Sequence, residues 1–100
     1  MTEPNPSFDT IHPSGEVLFR SCRGGYLHSV VLGESSIDTD AQRLAQAILL
    51  TADVSFLKAA LEIRGEIVST GRAPSAALPT AEDLRQATER LRTHNLHRSG

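Results

Sequence analysis

Between Thr39 and Thr70 apolar residues recur at helical spacing along two tracks rather than one. The first holds Leu44, Ile48, Ala52, Phe56, Ala59, Ile63 and Ile67; the second holds Leu50, Val54, Leu57, Leu61 and Val68. A helix that covers one side of a small sheet needs a single such stripe, so the second track needs another cover. Leu50, Val54, Leu57 and Leu61 follow one another at four, three and four residues, the rhythm of paired helices. A C-terminal helix of the same chain folded back, or a second chain, would satisfy it. The spacing favours self-association through Leu50, Val54, Leu57 and Leu61, and a homodimer is the expectation. Thr39 is a suitable N-cap with Gln42 three residues on, and Gly71 offers the stop. Such a helix is roughly 48 Å long. Gly65 inside it costs about 1 kcal/mol relative to alanine.

Upstream the period changes from helical to alternating. Ser7–His12, with Phe8 and Ile11, predicts a short edge strand, and Pro13-Ser14-Gly15 a turn. Glu16–Cys22 alternates Val17, Phe19 and Ser21 against Leu18, Arg20 and Cys22, the two faces of a strand. Arg23-Gly24-Gly25 predicts a tight reversal, and Tyr26–Leu32, rich in β-branched residues, the returning strand. Gly33–Ile37 reads as a loop. Downstream, Arg72–Leu78 reads as a linker. Thr80 with Asp83 caps a second helix running to about His94, with Leu84, Ala87, Thr88 and Leu91 on a narrow apolar stripe. The fold class is α+β: a three-stranded antiparallel meander followed by one long helix and a shorter C-terminal helix. Residues 7–95 form one domain, with a disordered N-terminus over 1–6 and a flexible C-terminus over 96–100.

Composition narrows the function more than it names it. With 39% hydrophobic residues, no Trp and 4% aromatics among 100 residues, the core has to be mainly aliphatic. A formal charge of −2, with both signs interspersed, supplies neither a nucleic-acid footprint nor a membrane anchor. Cys22 stands alone, so no intrachain disulfide forms, which fits a reducing compartment. Met1–Pro6 lacks the basic segment and apolar run of a signal peptide, and no stretch reads as the ~18 apolar residues of a bilayer span. The chain is expected to be soluble and cytoplasmic, with no membrane partner.

Candidate chemistry is sparse. His94 and His97 share a side of a helical turn, but a metal needs further ligands and the sequence supplies none nearby; a solvated basic tail explains them better. His12 and His28 face ordinary surface or turn roles. Cys22 lies between Arg20 and Arg23, which favours thiolate, yet no base accompanies it. Ser21, Ser29, Ser35 and Ser36 lack a nucleophile elbow, and Gly24-Gly25 lacks the context of a phosphate loop. Arg20, Arg23 and Arg43 are the candidate nucleic-acid contacts. The reading is a non-enzymatic protein, with no catalytic residues, no metal and no cofactor.

Three segments carry a family likeness. They are Phe8–Gly15 with the following strand, Gly turn and Tyr26–Leu32; the helix opening Asp40-Ala41-Gln42-Arg43-Leu44-Ala45-Gln46-Ala47-Ile48-Leu49-Leu50-Thr51-Ala52-Asp53; and Leu78-Pro79-Thr80-Ala81-Glu82-Asp83. In order and spacing, over about residues 7–95, these resemble the mycobacterial type VII secretion-associated EspD/EspH-like proteins. The long acidic N-terminal extension and acidic tail of those proteins have no counterpart here, so functions resting on them are not expected. The resemblance implies an accessory or chaperone-like role with secretion substrates as partners, the sheet surface being available to them. The sheet-then-helix order is more distantly similar to the YbaB/EbfC nucleoid-associated architecture. That likeness implies a DNA-binding dimer as the alternative.

Overall fold

A computed structural model describes residues 8–23, 26–34 and 39–94 of the chain. In order come β1 (Thr10–Ile11), β2 (Val17–Ser21), β3 (Leu27–Leu32), α1 (Ala41–Ser69) and α2 (Ala81–Arg92). The strands form one antiparallel sheet in the order β1-β2-β3. This is the α+β meander followed by a long and a short helix that the alternation and caps predict. The termini 1–6 and 96–100, the Gly24-Gly25 reversal and most of the 33–37 loop lie outside the described residues.

Boundaries shift for local reasons. The first strand is only Thr10–Ile11. The N-cap of α1 is Asp40 rather than Thr39: its carboxylate accepts the Arg43 N–H at 3.2 Å. Either residue type can cap, so composition does not choose between adjacent positions. At the other end Gly71 takes φ +84°. The Arg72 N–H donates to the Ile67 carbonyl and the Gly71 N–H to that of Val68, the paired bonds of a Schellman stop. The capping box of α2 is present, with Thr80 Oγ1 accepting from Asp83 N and Asp83 accepting from Thr80 N.

The helix α1 packs across β2 and β1. Of the large residues of the first apolar track, Leu44 and Ile48 pack against the sheet-side cluster while Phe56 stays out. The row against the sheet is Ala47, Thr51, Ser55 and Ala59, all buried. Ala47 meets Val17, with Leu44 and Ile48 at the margin. Small side chains let helix and sheet approach closely, and their hydroxyls are all bonded. Thr51 Oγ1 donates to the Ala47 carbonyl at 2.6 Å, Ser55 Oγ to the Phe8 carbonyl at 2.7 Å, and the Ser21 and Ser55 hydroxyls lie 2.5 Å apart. From the first track Phe56 stays 46% exposed.

The second track has an owner within the chain for all but Val68, which stays 55% exposed. Val54 is buried with Ala87 and Leu91, and Leu50, Leu57 and Leu84 pack around them. Leu61 is half-buried beside Phe8 and Leu84. The expected self-association face at Leu50, Val54, Leu57 and Leu61 is therefore corrected: α2 returns along α1 and its stripe fills that face. The assembled body measures 52 × 29 × 17 Å.

By length and composition alone α1 also qualifies as a membrane span, which corrects the expectation that no stretch does. In the fold it packs on the sheet and on α2.

Candidate protein-binding surface

Alternation along β2 sends Val17 and Ser21 toward α1, so Leu18 and Arg20 face away from it. Cross-strand partners share a face. The register pairs Ile11 with Leu18 and Leu18 with Val31, so three apolar side chains form one row across the outer face of the sheet. Leu18 is half-buried, whereas Ile11 is 60% and Val31 52% exposed. No helix of the described residues covers this row.

Beside it lies a polar border. Arg20 Nε donates to Asp9 Oδ2 at 3.2 Å. Lys58 Nζ donates to the Asp9 carbonyl at 2.9 Å; burial pushes its amine below the ordinary lysine range, and the Asp9 charge opposes that shift. Asp9 Oδ1 is buried without a hydrogen-bond partner among the described residues.

The sheet has two unequal edges. On one side β1 is two residues long, which blunts it. On the other β3 runs six residues with a single neighbour among the described residues and contains neither a charge nor a proline, the usual protections of an edge. Tyr26, Leu27 and Leu32 are exposed along it. Antiparallel pairs alternate between hydrogen-bonded and non-bonded. Gly33 N–H donates to the Glu16 carbonyl, so Val31 bonds inward to β2, while the N–H and C=O groups of Val30 and Leu32 point to the open edge.

The remaining sequence candidates are scattered. Arg20 is paired with Asp9, and Arg23 makes a bidentate pair with Glu66. Each partner holds the other's charge: hydrogen bonding to Glu66 raises the Arg23 pKa, and Arg23 lowers that of Glu66. Arg43 lies 23 positions before Glu66 on the same helix, about 34 Å along its axis. The three arginines therefore do not form one patch. Cys22 is buried, and His28 is exposed on β3 beside the Ser29 hydroxyl. No group of three or more His, Cys, Asp or Glu side chains among the described residues is placed to hold a metal ion.

One contact had no sequence signal. His12, 1% exposed, places Nε2 at 2.9 Å from Nδ1 of His94, with the rings edge to face. The Ser14 N–H donates to His12 Nδ1 at 3.0 Å, so the His12 proton sits on Nε2 and points at His94. Burial lowers both pKa values; the neighbouring His94 adds to the shift of His12, and Arg43 to that of His94. His97, the expected companion of His94, lies outside the described residues.

Comparison with known proteins adds kinship. Proteins named as uncharacterised from Mycobacterium bovis and Mycobacterium tuberculosis are each 62% identical to this chain over 98 residues, covering 98% of it and 97% of theirs. No solved structure gives a significant match. These matches show mycobacterial kinship and do not extend to the secretion-associated or nucleoid-associated groups. A family model described as "Protein of unknown function (DUF2694)" matches residues 1–97, and the chain belongs to that family.

Proposed function

We propose that this is a non-enzymatic cytoplasmic binding protein that acts through protein–protein contacts on the outer face of its sheet. The observation that carries the reading is the uncovered row Ile11, Leu18 and Val31. Exposed contiguous apolar surface beside a polar border is the composition of an interaction site. The resemblance of its three segments to EspD/EspH-like proteins supplies the setting, an accessory or chaperone-like role toward substrates of type VII secretion.

The test is substrate solubility. Removing the protein from a mycobacterial host lowers the soluble and exported amounts of a type VII substrate. Ile11→Glu, placed on an exposed two-residue strand, keeps the thermal melting of the wild type but fails to restore them. Substrate levels indifferent to both changes would sink the reading.

The DNA-binding alternative draws less support from the geometry, since Arg20 and Arg23 are already neutralised by Asp9 and Glu66. A gel shift at low salt tests it, because phosphate binding is strongest there.

A further inference from the structure

We propose that the open edge of β3 is completed by β3 of a second copy of this chain, antiparallel and centred on Val31, giving one six-stranded sheet. The inference rests on the protein-binding reading and extends its outer-face row across the β3 edge into a second copy of the chain.

Backbone geometry sets the register. A two-fold axis perpendicular to the sheet leaves each face on its own side, so only residues of like parity can oppose one another. Val30 and Leu32 carry the outward N–H and C=O groups. Centring on Val31 sets Val30 against the partner's Leu32, and Leu32 against the partner's Val30, with both groups of each residue bonded. The irregularity between Arg20 and Ser21 disturbs β3 near His28, outside the stretch this register uses. A centre on Val30 would draw His28 into the ladder.

Side chains fit the same arrangement. Val31 meets the partner's Val31, so the row Ile11, Leu18, Val31 continues into the partner's three residues without a break. At about 4.8 Å per strand it spans roughly 24 Å. On the helical face β2 and its copy lie three strand spacings apart, about 14 Å, whereas helices in direct contact lie 8–10 Å apart. That leaves a shallow trough between the two copies of α1, floored by Val30 and Leu32, with Phe56 exposed on the helix above.

The surface is also large enough. Tyr26, Leu27, Val30, Val31, Leu32 and Phe56 together present on the order of 600 Å², taking ~150–250 Å² for a large side chain. A stable interface buries about 800 Å² per partner, and the strand backbone supplies much of the difference.

Light scattering on the full chain after size exclusion tests this. The expected mass is twice the 10.8 kDa of one chain. Val30→Pro removes an outward N–H at a position where an edge strand tolerates proline, and halves the mass while circular dichroism stays unchanged. Leu32→Lys, which sets a charge on the same edge, does the same and serves if the proline variant fails to fold. Ile11→Glu, two strands from the axis, leaves the mass doubled. A wild-type chain of single mass, or a doubled mass that survives both folded edge variants, overturns the second copy. A single-mass chain that still keeps a secretion substrate soluble through Ile11 overturns it alone and leaves the binding reading standing.

Discussion

His12 and His94 stand 82 positions apart and share one hydrogen bond, 2.9 Å from Nε2 to Nδ1, that ties the turn after β1 to the residue just beyond the end of α2. Because His12 Nδ1 accepts from Ser14 N, the bond requires neutral rings with His12 as donor. His94 Nε2 is then buried without a hydrogen-bond partner among the described residues.

Both histidines titrate below their usual value near 6.5 in the fold, chiefly through burial. As pH falls below about 6.5, the unfolded chain takes up protons that the folded chain refuses, and stability declines. Above that value both states are neutral and the contribution is fully present. Denaturant melts between pH 5 and 8 should show midpoints falling on the acid side. His12→Gln should flatten that limb while lowering stability at neutral pH. An unchanged acid slope in the variant would place the pH dependence elsewhere.

The hydroxyl of Ser55 joins three elements, donating to the Phe8 carbonyl and touching Ser21 on β2. Ser55→Ala leaves the Phe8 carbonyl with only the longer 3.4 Å bond from Thr10 Oγ1 and takes from the Ser21 hydroxyl its Ser55 partner, a loss of about 1–3 kcal/mol. Ser55→Val adds bulk where helix and sheet are closest and costs about as much through overpacking. Urea unfolding measures both. A valine variant more stable than wild type would mean that the polar contact is dispensable.

Packing of α2 over Leu50, Val54 and Leu57 changes what a mutation there reports. Leu57→Asp puts a charge into the α1–α2 seam, and Leu91→Ala opens a cavity in it worth about 2–5 kcal/mol. Each should lower the melting temperature and loosen α2 without acting directly on the proposed β3 edge. Amide exchange over residues 81–92 checks this, with protection falling in both variants. Full protection in a Leu57→Asp chain would show that the seam is not where α2 holds.

What the sequence made legible follows from local chemistry. Alternation in Val17–Ser21, the β-branched run of Leu27–Leu32, the Thr80–Asp83 box and Gly71 each act within a few residues, and the elements stand where these signals put them. The pairing of faces was not legible in the same way. Hydropathy ranks Phe56 above Ser55, yet close approach of helix and sheet depends on size, so Ala47, Thr51, Ser55 and Ala59 took the sheet face and Phe56 did not. The a/d rhythm at Leu50, Val54, Leu57 and Leu61 pointed to self-association because it does not say whose helix answers it, and α2 of the same chain packs there. Nothing local could join His12 to His94. The row Ile11–Leu18–Val31 needed the register, which depends on turns as much as on the strands themselves.

The small residues between helix and sheet also set how the fold responds to denaturant. Among the described residues four of the nine buried apolar ones, Ala47, Ala59, Ala60 and Ala87, are alanines, and hydroxyl groups occupy much of the remaining interior. Unfolding one chain therefore exposes little apolar area. Its heat-capacity increment and its denaturant m-value are expected toward the low end for 100 residues, with a stability curve broad and shallow rather than sharply domed.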